Sequence, residues 1–281
     1  MEIAVKPQRV SVAELTPPTN PRMVSAYVAA LSKIAYDFHD LNISWGVEAY
    51  STKDFNPKST KFDLINYLSD RNFPTEVHLN DDALKNLMFA KPINDSEIAQ
   101  TLVAIANLER TILNLNAKLI ESQTLDPMRP TEMSFLHNDK NFKPGKPGHT
   151  TVMLCNESTE KYINSAIRAN EMAPFMKRNM KDLGLMFCPI APVQESYKEF
   201  RPLMHHTLKD NLIVLNHEYA GALNPGNIYD ALTYMAQNGI VAPNIATRGG
   251  VMTDGKLDFK RLIAYLNKIQ KWQNNKAKDS K

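Results

Sequence analysis

Apolar residues recur seven apart along Asn94–Ser122: Ile98, Ile105, Ile112 and Leu119 on one track, with Leu108 and Leu115 on a neighbouring track headed by Thr101. A spacing of three and four residues held this long puts one stripe on one side of a helix, so the pattern predicts a long helix here. Asn94, with Glu97 three residues on, supplies a capping-box-like start. Asp126-Pro127 ends it, because the residue before a proline avoids the α region. Leu102, Leu113 and Ile120 widen the apolar face, and the flanking positions lack complementary charges. The stripe at 98–119 therefore predicts the central helix of a bundle rather than a coiled-coil seam.

A second stripe lies nearer the start. Val24, Leu31 and Phe38 are seven apart, as are Tyr27, Ile34 and Leu41, with Asn20 as cap and Pro21 in the first helical position. It is the natural partner for the stripe at 98–119. Residues 42–60 read as a loop or short β excursion anchored by Trp45 and Tyr50, and Lys61–Arg71 and Asp81–Ala90 as short amphipathic helices. Past the middle, Leu185–Ile190 reads as a buried extended segment. Asn224-Pro225 opens a helix with Ile228, Leu232 and Met235 inward and Asn238-Gly239 at its end. Asp254-Gly255 is a turn signal, and a hairpin with Arg248-Gly249-Gly250 at its tip is expected. Asp258 opens a last helix with Leu262, Leu266, Ile269 and Trp272 facing in.

Together these patterns predict a mainly α protein, a two-lobed helical bundle with a small β hairpin or short strands in the C-terminal half. The expected parts are an extended arm at 1–20, a helical lobe at 21–125, a Pro/Gly-rich basic linker at 126–150, a second helical lobe at 151–273 and a disordered basic tail at 274–281.

Composition narrows the classes. At 281 residues, 43% hydrophobic and 22% charged, the chain is of ordinary globular make-up. Its 10 glycines disfavour a Gly-rich nucleotide-binding fold. The N-terminus has no signal-peptide core, and no apolar run spans a bilayer, so a cytoplasmic protein without a membrane partner is expected. Cys155 and Cys188 are not in a metal-ligand spacing and read as reduced thiols. The net charge of +3 is divided, with −5 on residues 1–139 and +8 on residues 140–281. A basic half beside an acidic half points to an anionic partner or to contact between copies.

Candidate chemistry is sparse. Lys140, Lys143 and Lys146 lie in the basic linker, and Arg168, Lys177, Arg178 and Lys181 form a basic patch beyond it. With Arg248 on its expected hairpin, these are the candidate phosphate-gripping residues for single-stranded nucleic acid or another polyanion. His205, His206, His217 and Glu218 are the candidate cluster for metal or acid–base work, though adjacent histidines point apart and no HExxH spacing is present. No metal or cofactor is expected. The string Phe200-Arg-Pro-Leu-Met-His-His resembles a helix in coat proteins of flexible filamentous plant viruses, without the family's downstream arginine and aspartate context.

The leading expectation is a non-enzymatic, nucleic-acid-binding, self-assembling structural protein of the nucleoprotein kind, working as a homo-oligomer. Two alternatives stand beside it. One is a metal- or His-dependent enzyme with its site near 205–218; the other is an interaction scaffold using the 98–119 stripe.

Overall fold

The computed structural model describes residues 7–79, 110–116, 150–156, 183–189, 196–200, 217–240 and 243–279. Eight parallel strands close into a barrel in strict sequence order, the last pairing with the first. They are β1 (Arg9–Leu15), β2 (Ile43–Ala49), β3 (Thr75–Leu79), β4 (Arg110–Asn116), β5 (Thr150–Asn156), β6 (Leu183–Pro189), β7 (His217–Tyr219) and β8 (Asn244–Thr247). Helix α1 (Val24–Asp37) follows β1, and α2 (Thr60–Asp70) follows β2. Helix α3 (Ile228–Gln237) follows β7, and α4 (Phe259–Asp279) follows β8.

The mainly helical, two-lobed bundle is thereby corrected. The stretch chosen as its central helix contains β4 at Arg110–Asn116, and the rest of it, with Ile98, Ile105, Leu108 and Leu119, lies outside the described residues. A strand in a parallel sheet is covered on both faces and reads as a dense apolar run, from which a helical period is easily extracted. The segment 1–20 contains β1, paired on both sides. The stretch 126–150 lies between β4 and β5, which pair over six register positions in the same barrel. In the tail, α4 continues to Asp279.

Helix signals at 21–37, 60–70, 228–237 and 259–279 were read correctly, and the helix expected at Asp81–Ala90 lies outside the described residues. Asn20 accepts a hydrogen bond from the Arg22 amide, with Pro21 opening a single 3-10 turn that runs into α1. Val24, Leu31, Ile34, Phe38 and Leu41 are all buried, in one apolar core shared with residues of the barrel strands. In α3, Ile228, Leu232 and Met235 are buried, and Gly239 takes the left-handed backbone at φ 75° that ends it. Leu183–Pro189 is extended, as the run at 185–190 suggested.

Register explains where the core sits. On β2 the odd positions Ile43, Trp45, Val47 and Ala49 face the helices, and Ser44, Gly46 and Glu48 face the barrel axis. On β3, Val77 and Leu79 face out while Glu76 and His78 face in. The apolar core is thus the shell between strands and helices. The axis, on the sector from β7 through β8 to β3, holds Glu218, Asn244, Ser11, Ser44, Glu48, Glu76 and His78, all at most 6% exposed. Barrel axes are ordinarily filled with branched apolar side chains, so this polar filling is the feature to be explained.

Candidate active site

The axial side chains are set by pairing between β1, β2 and β3. Gly46 is level with Glu76, and Glu48 with His78. At the deeper level the Glu76 carboxylate accepts from three groups: Ser11 Oγ at 3.3 Å and Ser44 Oγ at 3.1 Å on one oxygen, and His78 Nε2 at 3.0 Å on the other. A buried carboxylate costs several kcal/mol unless its lone pairs are met, and here donors from three strands meet them. Because Nε2 donates to the carboxylate, Nδ1 is the nitrogen of His78 that can accept a proton.

Space for the pair comes from Gly46. A Cβ at this position would lie 3.0 Å from His78 Nε2, 3.2 Å from Glu76 Oε1 and 3.0 Å from the Ala13 Cα. A β-bulge in β1 between Val12 and Leu15 falls at the same level.

Toward the C-terminal ends of the strands lies a second group. Glu48 accepts from the Tyr50 hydroxyl on Oε2 and from Arg248 Nη2 on Oε1. Tyr50 is the first residue after β2, and Arg248 the first after β8. The Glu48 side chain is 7% exposed and that of Arg248 25%, so the group spans the boundary between barrel axis and solvent. The loop after β2 fixes Tyr50: Asp54 Oδ2 accepts from the Tyr50 and Ser51 amides at 2.8 and 3.2 Å and pairs with Lys61 Nζ at 3.0 Å. Lys61 Nζ in turn lies 5.2 Å from the centre of the Tyr50 ring. Across the mouth, Thr247 Oγ1 donates to the Leu223 carbonyl at 2.8 Å, and a Cβ on Gly250 would collide with that same carbonyl. The loops after β7 and β8 are therefore packed together, which fixes the base of Arg248.

The expected site residues fare unequally. Arg248 was placed at a hairpin tip; it ends a barrel strand instead, and the tip is Asp254-Gly255, both left-handed at φ 51° and 70°, between β9 (Met252–Thr253) and β10 (Lys256–Leu257). Lys140, Lys143, Lys146, Arg168, Lys177, Arg178 and Lys181 lie outside the described residues, as do His205 and His206. Glu218 is buried on β7, directly after His217, and is level with Asn244, itself level with Arg9. Of the coat-protein-like string only Phe200 is described, packed edge to face on Tyr219 at 5.2 Å.

Sequence reasoning missed Glu48, Tyr50, Glu76 and His78. The available signal was the alternation of ISWGVEA and TEVHL, in which the polar positions carry carboxylate and imidazole. Cys155 and Cys188, 33 positions apart, are register partners on β5 and β6, which spacing alone did not suggest.

No family model matches the sequence, and no curated relative matches it. Two solved structures to which the chain is similar are isomerases. Triosephosphate isomerase from Bartonella henselae is 11% identical, with 95% of this chain and 100% of that chain covered and a TM-score of 0.47. N-(5'-phosphoribosyl)anthranilate isomerase from Pyrococcus furiosus is 12% identical, with 93% and 98% covered and a TM-score of 0.46. Likenesses this distant carry no argument about activity; the strand order carries the fold. The non-enzymatic, helical, viral-type nucleoprotein is nevertheless corrected. It rested on a two-lobed helical layout, whereas the chain closes a parallel barrel. The scaffold alternative fails with the helix it needed across 110–116. Among the described residues no helix is long and apolar enough to cross a membrane, and no cluster of metal-ligating side chains is present.

Proposed function

We propose that the chain is an enzyme that moves protons on a small polar substrate held at the C-terminal mouth of the barrel. His78 is the acid–base group, Glu76 is its positioning residue, and Glu48, Tyr50 and Arg248 form the part of the site that meets the substrate. The observation that supports this most is the buried Glu76–His78 pair, lodged on the barrel axis beside Gly46 and level with Glu48. A fold of this kind gains nothing in stability from such a pair that branched apolar side chains would not supply, and parallel barrels carry their chemistry at this end of the strands. Fold alone does not give function, so the reading stands on these side chains.

The roles follow from geometry. Glu76, already accepting from two serines, holds the imidazole in one tautomer, with Nδ1 as the nitrogen that takes up and gives back the proton. Glu48 is level with His78 and nearer solvent, at the end of the site that a molecule bound at the mouth would meet first.

Proton NMR in deuterium oxide tests the reading. The full chain is incubated with small hydroxy, keto and amino acids, and deuterium uptake at carbon is followed. Uptake is expected for at least one compound, falling about 10²- to 10⁴-fold in His78→Asn. Glu76→Gln is expected to shift the pH profile of uptake, which a purely structural role would leave in place. Absence of uptake across the panel, or equal rates in His78→Asn, defeats the proposal.

A further inference from the structure

At the mouth, one carboxylate bridges a guanidinium and a phenol. Glu48 Oε1 takes the Arg248 Nη2 donor, and Glu48 Oε2 takes the Tyr50 hydroxyl. The two donors come from different loops, fixed independently: Tyr50 by the Asp54 and Lys61 contacts after β2, and Arg248 by the packed loops after β7 and β8. They form a fork that takes both oxygens of a planar carboxylate, the recognition to which arginine is best suited. The fork lies at the solvent boundary, with Tyr50 46% exposed and the Arg248 side chain 25% exposed, so a molecule from solution can reach it. Its present occupant, Glu48, is level with the buried acid–base group His78.

The geometry points to a binding site for the carboxylate of a small carboxylic acid, formed by Arg248 and Tyr50, in which Glu48 stands in for the ligand. An arriving carboxylate replaces Glu48 on the fork, charge for charge, and releases the Glu48 carboxylate beside His78. No bond is made or broken and the net charge of the fork is unchanged. The exchange ties substrate binding to the freeing of a second carboxylate for the proton transfer proposed above. The inference rests on that reading only for the location of the mouth; its test reads binding, not turnover.

Binding of acetate to the full chain is measured by calorimetry and thermal unfolding, with acetamide and inorganic phosphate as comparison probes. Removing the internal competitor in Glu48→Gln is expected to tighten acetate binding about tenfold, since the ligand no longer competes with a tethered carboxylate for the fork. Arg248→Gln is expected to abolish binding, and Tyr50→Phe to weaken it and reduce the preference for acetate over phosphate. Glu48→Ala provides a second route if the glutamine variant folds poorly. Acetate should then raise its unfolding midpoint in a concentration-dependent way that acetamide does not reproduce. Unchanged acetate affinity in Glu48→Gln with no acetate-specific rise in Glu48→Ala overturns the inference, and so does phosphate binding as well as acetate. Either result leaves the His78–Glu76 proposal standing, whereas equal deuterium uptake in His78→Asn would sink that proposal and leave the fork intact.

Discussion

The sector β8–α4 and the sector β1–β3 belong to one barrel but use their side chains in opposite ways. In α4, Leu262, Tyr265, Leu266, Ile269 and Trp272 are buried at helical spacing, and the polar atoms among them are few. Trp272 Nε1 donates to Thr233 Oγ1 at 3.1 Å, tying α4 to α3. Burial, aided by the negative charge of Glu218, pushes the Tyr265 phenol far above its ordinary pKa, so it stays neutral. In β1–β3, by contrast, the axial positions hold Glu76, His78, Ser11 and Ser44, all buried and joined by hydrogen bonds, and Glu48, buried and bonded to Tyr50 and Arg248. The first sector lowers the energy of the fold by excluding water from apolar surface. The second spends desolvation energy to hold ionisable groups in place, a cost with no stability return beyond that of apolar filling. The difference separates scaffold from site without reference to any relative.

The sharpest way to break the comparison is to change His78. His78→Asn keeps the side chain near its size and is expected to lower proton-exchange turnover about 10²- to 10⁴-fold with a small change in unfolding free energy. Leu266→Ala should do the reverse, costing about 2–5 kcal/mol in denaturant unfolding through the cavity it leaves, with turnover per folded molecule preserved. If both variants lose activity and stability alike, the two sectors are not distinct in role. Gly46→Ala sits between them, because its Cβ would press on His78 and Glu76. It is expected to cost about 1–3 kcal/mol by overpacking and also to slow turnover, since the pair it displaces is the acid–base group.

The smallest effect is at the helix end. Asp258 accepts from the Arg261 and Lys260 amides and from the Thr253 hydroxyl, and these bonds hold its carboxyl below the ordinary 3.8, the Arg261 amide most of all. A carboxyl whose folded pKa is depressed stabilises the fold above the unfolded value and loses that contribution as pH falls through the folded one. Unfolding midpoints of wild type and Asp258→Asn should therefore differ at neutral pH and converge below about 3.8. A gap that persists unchanged into acid would show that the cap does not act through charge.

Legibility in the sequence followed the same division. Asn20-Pro21, Asp258 and the apolar spacing of α1, α3 and α4 act within a few residues, through local hydrogen bonds and one buried face, and they were read correctly. β4 was misread: Thr111, Leu113 and Leu115 alternate with Ile112 and Asn114, but Ile112 and Leu115 also fit a heptad. Glu48 and Arg248 are 200 positions apart, and nothing local to either marks the other.

What the chain determined by itself was the set of amphipathic helices, their caps, and an alternation of apolar and polar positions in ISWGVEA and TEVHL. Such alternation by itself says that one face is apolar and the other polar; it does not say what lies beyond the polar face. Only closure of the eight strands decided that. It turned Ser44, Glu48, Glu76 and His78 away from solvent and toward one another. Inside, a carboxylate must find donors or forfeit its solvation, and that requirement converts a row of polar residues into a paired and positioned site.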